Sequence, residues 1–265
     1  MMPKKSLKPK KNWTPDRTAT AVNKSVKQER MPMSGLFISF DGIDGAGKGT
    51  QIRLLAAALQ RRGHTVVQTL EPGGSPYGNI LRPLLLTPEK TLASGAPDST
   101  GKAPPADALT EVFLFMAERR YHVTSLIAPS LAAGRIVISD RFADSTVVYQ
   151  GYDQGYDLET IHKLNQLAVG EYWPNCTFFL DLPVEESSRR TTNRPKEFKG
   201  TDRFEASGDD AFERRRRGYH ELAERFPERI HLIDGGRAEE DIAEEIWSIV
   251  EPQLAKLSTC GDTNV

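Results

Sequence analysis

Short apolar runs alternate with longer amphipathic stretches along most of this chain. Each run is bounded by Gly, Pro or charged residues, which is typical of a buried strand. Strands are predicted at 36–40, 65–70, 135–139, 176–181 and 230–233.

Apolar residues at helical spacing fill the segments between these runs. Ile52, Leu55, Ala56 and Leu59 form one such stripe, and Gly63 suits the end of that helix. Because strands alternate with helices, we expect an α/β fold with a five-stranded parallel sheet and helices on both faces. Helices are predicted at 48–62, 108–121, 158–170, 209–226 and 239–257.

A glycine-rich segment follows the first predicted strand directly. Its turns aim backbone N–H groups at one point, where Lys48 and the start of a helix also favour an anion. The match to G-x-x-x-x-G-K-[ST] is incomplete, because Gly49 stands where a hydroxyl residue usually contacts Mg²⁺. The predicted ATP-binding residues are Gly42, Ile43, Asp44, Gly45, Ala46, Gly47, Lys48, Gly49 and Thr50.

Charged residues follow other predicted strands at the edge where ligands of such sheets gather. Asp140 suits Mg²⁺ binding through water, and Arg141 suits a phosphate. An isolated Asp-Arg pair is more simply a surface salt bridge, but the position at a strand end favours the functional interpretation. Arg82 follows a Gly-Gly loop and could bind an anion or be a surface charge.

A basic segment, 189–205, lies between the fourth strand and a long helix. It could be a solvated loop, or a lid that brings cations over a transferred phosphoryl group. The residues alone indicate a phosphotransferase that acts on a small phosphorylated acceptor, which they do not name.

Several short segments form an ordered set along the chain: 40–48, 71–74, 115–119, 140–142, Ser145, 149–151 and 202–205. Together they resemble thymidylate kinase, a nucleoside monophosphate kinase. The resemblance covers about residues 35–254 and implies the P-loop nucleoside monophosphate kinase fold. It also implies transfer of phosphate from ATP–Mg²⁺ to dTMP, which gives dTDP.

The resemblance implies roles for eight residues at the acceptor. Phe115 would stack on thymine, and Arg119, one turn later on the same face, would hydrogen-bond the pyrimidine edge. Without the resemblance, Phe115 would more simply be a core residue. The other implied contacts are Asp44 to the sugar 3′-hydroxyl, Arg82 and Arg141 to the phosphate, Thr146 and Gln150 in the base pocket, and Tyr149 under the sugar, where it obstructs a 2′-hydroxyl.

Cations dominate the implied catalytic set. Gly45 after Asp44 indicates the mostly bacterial form of the family, with its basic residues in the lid. No general base is needed, because the acceptor phosphate oxygen is already anionic. The predicted catalytic residues are Lys48, Arg141, Arg194, Arg203 and Asp140, the last holding Mg²⁺ through water.

Two departures from the family keep alternatives open. Leu70 stands where many bacterial members have Arg, and Gly49 removes a hydroxyl. The string at 47–51 looks like adenylate kinase, which is the nearest alternative enzyme. A nucleotide-binding protein without turnover is the non-enzymatic alternative.

Charge is unevenly distributed over the 265 residues. Residues 1–33 carry +7 and the rest −8, so the body argues against extended nucleic-acid contacts. The basic tail is expected to be disordered; it could bind nucleic acid, target the protein or do nothing, and translation could start near Met31 or Met33. The kinase-like domain is predicted at 34–257, with a flexible insertion at 88–105 and a C-terminal tail at 258–265.

Cysteine use and hydropathy indicate a cytoplasmic protein without a membrane segment. Cys176 lies in an apolar strand and, with Cys260, forms no metal-ligand pattern. The resemblance implies a homodimer with dTMP and ATP as small-molecule partners, and no nucleic acid is expected.

Overall fold

One five-stranded sheet forms the centre of the computed structural model. All strand pairings are parallel, in the order β2-β3-β1-β4-β5, which confirms the predicted sheet. The strands are β1 (Leu36–Asp41), β2 (Val66–Leu70), β3 (Ile136–Asp140), β4 (Cys176–Asp181) and β5 (Ile230–Asp234). The structure describes residues 34–87, 106–192, 204 and 208–261.

Helices connect the strands, and all five predicted helices are present. Two π-helical segments, Val123–Ile127 and Val147–Asp153, continue α3 and α5. The helices are α1 (Lys48–Arg61), α2 (Pro76–Leu86), α3 (Ala108–His122), α4 (Ala128–Ala132), α5 (Ala143–Thr146), α6 (Leu158–Val169), α7 (Val184–Thr192), α8 (Asp209–Arg225) and α9 (Glu239–Gly261).

Two predicted segment boundaries fall within helices, and other predicted segments lie outside the described residues. Residues 189–192, predicted to begin a lid, form the last turn of α7, and α9 continues past the predicted domain end at 257. The predicted tail at 1–33, the insertion at 88–105 and most of the lid lie outside the described residues. Within the described part, no helix has both the length and the apolar character needed to cross a bilayer.

Side-chain caps explain where several helices begin. Asp107 accepts a hydrogen bond from the Thr110 N–H at 2.7 Å at the start of α3. Asp157 does the same for α6, accepting from the Thr160 N–H at 2.8 Å. Each carboxylate satisfies an N–H that has no partner within its own helix.

Strand β1 divides its side chains between the two faces of the sheet. Leu36, Ile38 and Phe40 pack with α1 and α9, while Phe37 faces the opposite helices. Alternation places the buried Asp41 on the second face. Cys176 is buried and free, as the sequence predicts. Because β1 lies between β3 and β4, its carboxyl end is the point where the chain connections diverge, and ligands bind there in such sheets.

The α1 stripe gives a test of the core. Leu59→Ala should lower the free energy of unfolding by about 2–5 kcal/mol, because Leu59 is fully buried. Leu54→Ala on the same helix should change it by about 0.5 kcal/mol or less, because Leu54 is 39% exposed. Urea unfolding measures both, and equal losses would contradict this packing.

Candidate active site

The phosphate loop joins β1 to α1. Gly42 and Gly47 have φ values of 143° and 93°, which favour glycine. A Cβ on Gly42 would lie 2.8 Å from the Leu180 carbonyl oxygen, so a larger residue is also excluded by space. Helix α1 has no side-chain cap, so N–H groups of its first turn remain available to an anion.

Lys48 places a cation inside this loop. Its Nζ donates to the carbonyls of Gly42 at 3.1 Å and Ile43 at 3.4 Å. Burial and then the Arg141 charge lower the pKa of Lys48, and nearby carboxylates, including Asp140, oppose the shift. A bound polyphosphate would compensate this buried charge, as P-loop geometry requires.

Arg141 has a backbone conformation that is rare for its residue type. Its φ is 68°, the only positive value of a non-glycine residue in the described part of the chain. The Arg141 N–H donates to the Phe40 carbonyl at 2.8 Å, and Ser139 Oγ donates to the Arg141 carbonyl at 2.7 Å. Such strained residues cluster at functional sites. The guanidinium donates to Asp44 Oδ1 at 3.2 Å.

Asp41 lies fully buried beside this guanidinium. Its Oδ1 accepts hydrogen bonds from Ser145 Oγ and from Tyr219 Oη, the latter at 2.7 Å, and lies 3.8 Å from Arg141 Nη1. Burial raises the pKa of Asp41 to about 6, against the Arg141 charge. Sequence reasoning did not assign Asp41 or Tyr219 a role, although Asp41 lies within the matched segment.

A cavity of about 540 Å³, counted to its open mouth, begins next to Arg141. Phe115 is partly exposed at this cavity, which decides against its being a core residue. All eight residues predicted for the acceptor line the cavity: Asp44, Arg82, Phe115, Arg119, Arg141, Thr146, Tyr149 and Gln150.

Arg119 is held firmly at the cavity wall. Nε donates to Glu71 Oε2 at 2.8 Å, Nη1 to Asn165 Oδ1 at 2.7 Å and Nη2 to Thr146 Oγ1 at 3.0 Å. Nη1 also points to Met116 Sδ at 3.8 Å, which is a weak acceptor. The Glu71 and Asn165 partners were not predicted from the sequence.

The π-helical segment presents Tyr149 and Gln150 to the cavity. The Arg141 guanidinium lies 5.1 Å from the Tyr149 ring centroid, and the Phe204 ring packs edge-on at 5.3 Å. Gln150 Nε2 donates to Glu111 at 2.9 Å. Gln150 Oε1 is buried and has no hydrogen-bond partner among the described residues. π-Helical turns are frequent at functional sites.

Arg82 and the predicted lid cations differ in what the structure shows. Arg82 Nη1 donates to the Pro72 carbonyl, and its side chain lies over Gly73. Arg194 and Arg203 lie outside the described residues.

Comparison with known proteins decides the family. A family model described as thymidylate kinase matches residues 40–246. The chain belongs to the thymidylate kinase family. Thymidylate kinase of Desulfovibrio desulfuricans is 43% identical over 83% of this chain and 97% of its own. That of Exiguobacterium sibiricum is 40% identical, with 84% and 98% covered.

A solved structure agrees with these relatives. The thymidylate kinase of Ehrlichia chaffeensis matches with a TM-score of 0.61 and 33% identity, covering 82% of this chain and 98% of its own. This similarity supports the P-loop nucleoside monophosphate kinase fold.

The two departures from the thymidylate kinase pattern occupy different environments. A Cβ on Gly49 would have no atom within 4 Å, so the phosphate loop has room for the hydroxyl residue that is absent. Leu70 is 38% exposed at the end of β2, where it offers no charge.

Three potential metal ligands, Glu71, Glu118 and His122, lie buried together in this kinase fold. His122 Nδ1 lies 2.9 Å from Glu71 Oε1, and its Nε2 lies 2.7 Å from Thr69 Oγ1. Because Arg119 takes the other Glu71 oxygen, hydrogen bonds already satisfy this carboxylate. The cluster is therefore best described as a structural network behind Arg119.

Glu118 is the member of this network whose hydrogen bonds are incomplete. Its Oε1 accepts from the Gly73 N–H at 3.4 Å and Ser75 Oγ at 3.5 Å, whereas Oε2 has no partner among the residues described. Burial and then the Glu71 carboxylate raise the pKa of Glu118 to about 7. The native state therefore holds a proton there that the unfolded state releases near the usual value of 4.5.

This proton makes stability fall as the pH rises from about 4.5 to 7. Glu118→Gln keeps an acceptor for Gly73 and Ser75 but cannot ionise, so it should be more stable than wild type at pH 8. The gain relative to pH 5 should be about 3 kcal/mol for a shift of this size. Urea unfolding at both pH values measures it.

The exposed Glu240 provides the control for this comparison. Glu240→Gln should follow the wild-type pH dependence. If Glu118→Gln followed it too, the raised pKa of Glu118 would be wrong.

Proposed function

We propose that the cavity binds dTMP and that the phosphate loop binds ATP–Mg²⁺. The phosphoryl group would pass from ATP to dTMP in the space between the Lys48 and Arg141 side chains. As a member of the thymidylate kinase family, the chain phosphorylates dTMP to dTDP. One observation carries the proposed geometry: Asp44 belongs to the phosphate loop and also lines the cavity that holds all eight acceptor residues. Donor and acceptor sites therefore meet at one residue.

The base would lie between Phe115, Arg119 and Gln150. The Phe115 ring offers an apolar face for stacking. A pyrimidine carbonyl is a better acceptor than Met116 Sδ for the Arg119 Nη1 hydrogen. The unpartnered Gln150 Oε1 could accept from a ring N–H, and leaving it unpaired would be costly.

The sugar and phosphate would occupy the end of the cavity near the phosphate loop. Tyr149 would lie under the sugar and obstruct a 2′-hydroxyl, and Asp44 would accept from the 3′-hydroxyl. Arg82 and Arg141 would bind the acceptor phosphate with charge-assisted hydrogen bonds. Burial raises the pKa of Tyr149, so its hydroxyl stays neutral near these anions.

Magnesium fits the donor side of the site. Asp140 Oδ1 is buried without a hydrogen-bond partner in the described part, so it can accept from a metal-bound water. Gly49 supplies no side-chain oxygen, which leaves Asp140 as the proposed protein contact through water. When bound, Mg²⁺ neutralises charge on the donor phosphates. Arg194 and Arg203 remain predicted lid cations.

Family membership favours dTMP over the adenylate kinase alternative suggested by residues 47–51. A cavity that combines Phe115, Arg119 and Gln150 also supports a pyrimidine acceptor. The alternative of nucleotide binding without turnover is distinguished by the assay below.

A coupled ADP-release assay with ATP–Mg²⁺ should show strong preference for dTMP over dUMP, AMP, CMP and GMP. Lys48→Ala should reduce turnover by about 10²-fold or more, because it removes the loop cation from the transferred group. Preference for AMP would support the adenylate kinase alternative. ATP binding without turnover on any acceptor would support the non-catalytic alternative.

We also propose that the protein is a cytoplasmic homodimer, as the resemblance implies. Tyr77, Ile80 and Leu84 form a helical stripe on α2 and are 56%, 67% and 49% exposed. Phe113 of α3, which packs beside α2, is also exposed. An apolar surface of this kind is typical of an interface between protein copies.

Ile80→Asp should therefore convert the dimer to a monomer, because it buries a charge in the proposed interface. Size-exclusion chromatography with light scattering measures the mass. Leu54→Asp, an exposed leucine on α1, should leave the mass of a dimer unchanged. A wild-type monomer at micromolar concentration would contradict the proposal.

A further inference from the structure

We propose that Arg215 is a positioning residue for the kinase reaction, holding Tyr149 and Phe204 in the sugar-side wall of the acceptor cavity. Arg215 itself does not line the cavity, whereas Tyr149 and Phe204, two of the residues that it contacts, do. The inference rests on the proposed function, in which this cavity binds dTMP.

Arg215 is anchored deep inside the protein. It lies in α8 and is only 1% exposed. Its Nε and Nη2 bind Asp153 Oδ2 at 2.7 and 2.6 Å, and its Nη1 donates to the Phe204 carbonyl at 2.9 Å. The guanidinium thus ties the end of the π-helical segment to the backbone at Phe204.

Three aromatic rings surround the same guanidinium. The Arg215 Cζ lies 4.6 Å from the Tyr149 centroid, 5.4 Å from that of Phe212 and 5.8 Å from that of Phe204. A desolvated cation at these distances attracts the ring faces. Tyr149 is therefore bound by two guanidinium groups, Arg141 in the site and Arg215 behind it.

Charge balance alone does not require this arrangement. Arg214, the preceding residue, already binds Asp153 Oδ1 with Nε at 3.1 Å and Nη2 at 2.7 Å, and its side chain is 42% exposed. Burying a second arginine is costly unless its contacts are good, and those extra contacts go to Tyr149 and Phe204. The contacts that Arg215 makes and Arg214 does not therefore support the cavity wall.

Loss of Arg215 should affect the acceptor and spare the donor. Tyr149 would lose one of its two cations, and the Phe204 carbonyl would lose its donor. The phosphate loop around Lys48 has none of these contacts among those described. We therefore expect a weaker acceptor site that discriminates less between deoxyribose and ribose.

The experiment compares Arg215→Met with Arg214→Met in the full-length enzyme. Steady-state kinetics are measured with ATP, dTMP and the ribose analogue of dTMP. Arg215→Met should raise the KM for dTMP about tenfold, a change of about 1.4 kcal/mol in binding, with the KM for ATP within about twofold. It should also reduce the preference for dTMP over the ribose analogue. Arg214→Met should leave all three unchanged.

Arg215→Lys provides the rescue, since it keeps the cation and one donor nitrogen but loses the planar fork. It should recover part of the dTMP affinity. Equal effects of Arg215→Met and Arg214→Met would overturn the inference. So would equal increases in the KM for ATP and dTMP with a lowered melting temperature, which indicate general destabilisation.

Failure of the proposed function gives a different result. In that case the wild type does not turn over dTMP at all. Calorimetric binding of dTMP to the wild type and to the same variants then tests Arg215 separately. Unchanged affinity in Arg215→Met, or no binding to the wild type, would reject the positioning role.

Discussion

The hydrogen bonds to the buried carboxylate of Asp41 are the interaction on which the geometry of the site depends. It stands at the end of the central strand, where β1 passes into the phosphate loop. Ser145, Tyr219 and Arg141 reach it from α5, α8 and the end of β3. A carboxylate without water needs such partners, and the shared need brings three distant segments to the loop. The Arg141 guanidinium lies 3.8 Å from this carboxylate and donates to Asp44 Oδ1 at 3.2 Å.

The cavity wall around Arg119 is organised in the same way, by buried hydrogen bonds between distant segments. The Arg119 guanidinium is oriented by Glu71, Asn165 and Thr146 before any ligand arrives. Glu71 is fixed in turn by His122. Preorganised donors do not pay the ordering cost when the substrate binds. These hydrogen bonds hold the polar side of the cavity in one geometry, and Phe115 and Tyr149 contribute aromatic rings to its wall.

Local pattern was sufficient for the sheet and the long helices, because alternation and helical spacing are properties of neighbouring residues. The eight residues predicted for the acceptor from the motifs also line one cavity. What sequence reasoning missed depends on distant partners. Tyr219 and Asp41 are 178 residues apart, and Arg215 gains meaning only beside Asp153 and Phe204. Residues 189–192 were interpreted as the start of a basic lid, whereas they form the last turn of α7.

The left-handed backbone of Arg141 has a consequence for how this chain can change. A non-glycine residue in that region costs about 1–3 kcal/mol, which glycine would recover. Glycine would also delete the guanidinium beside Asp41 and the cavity. Selection for thermal robustness alone would therefore favour glycine at this position, at the expense of the guanidinium. An engineering library selected only for folding would therefore lose the Arg141 guanidinium, because arginine is strained in this backbone conformation.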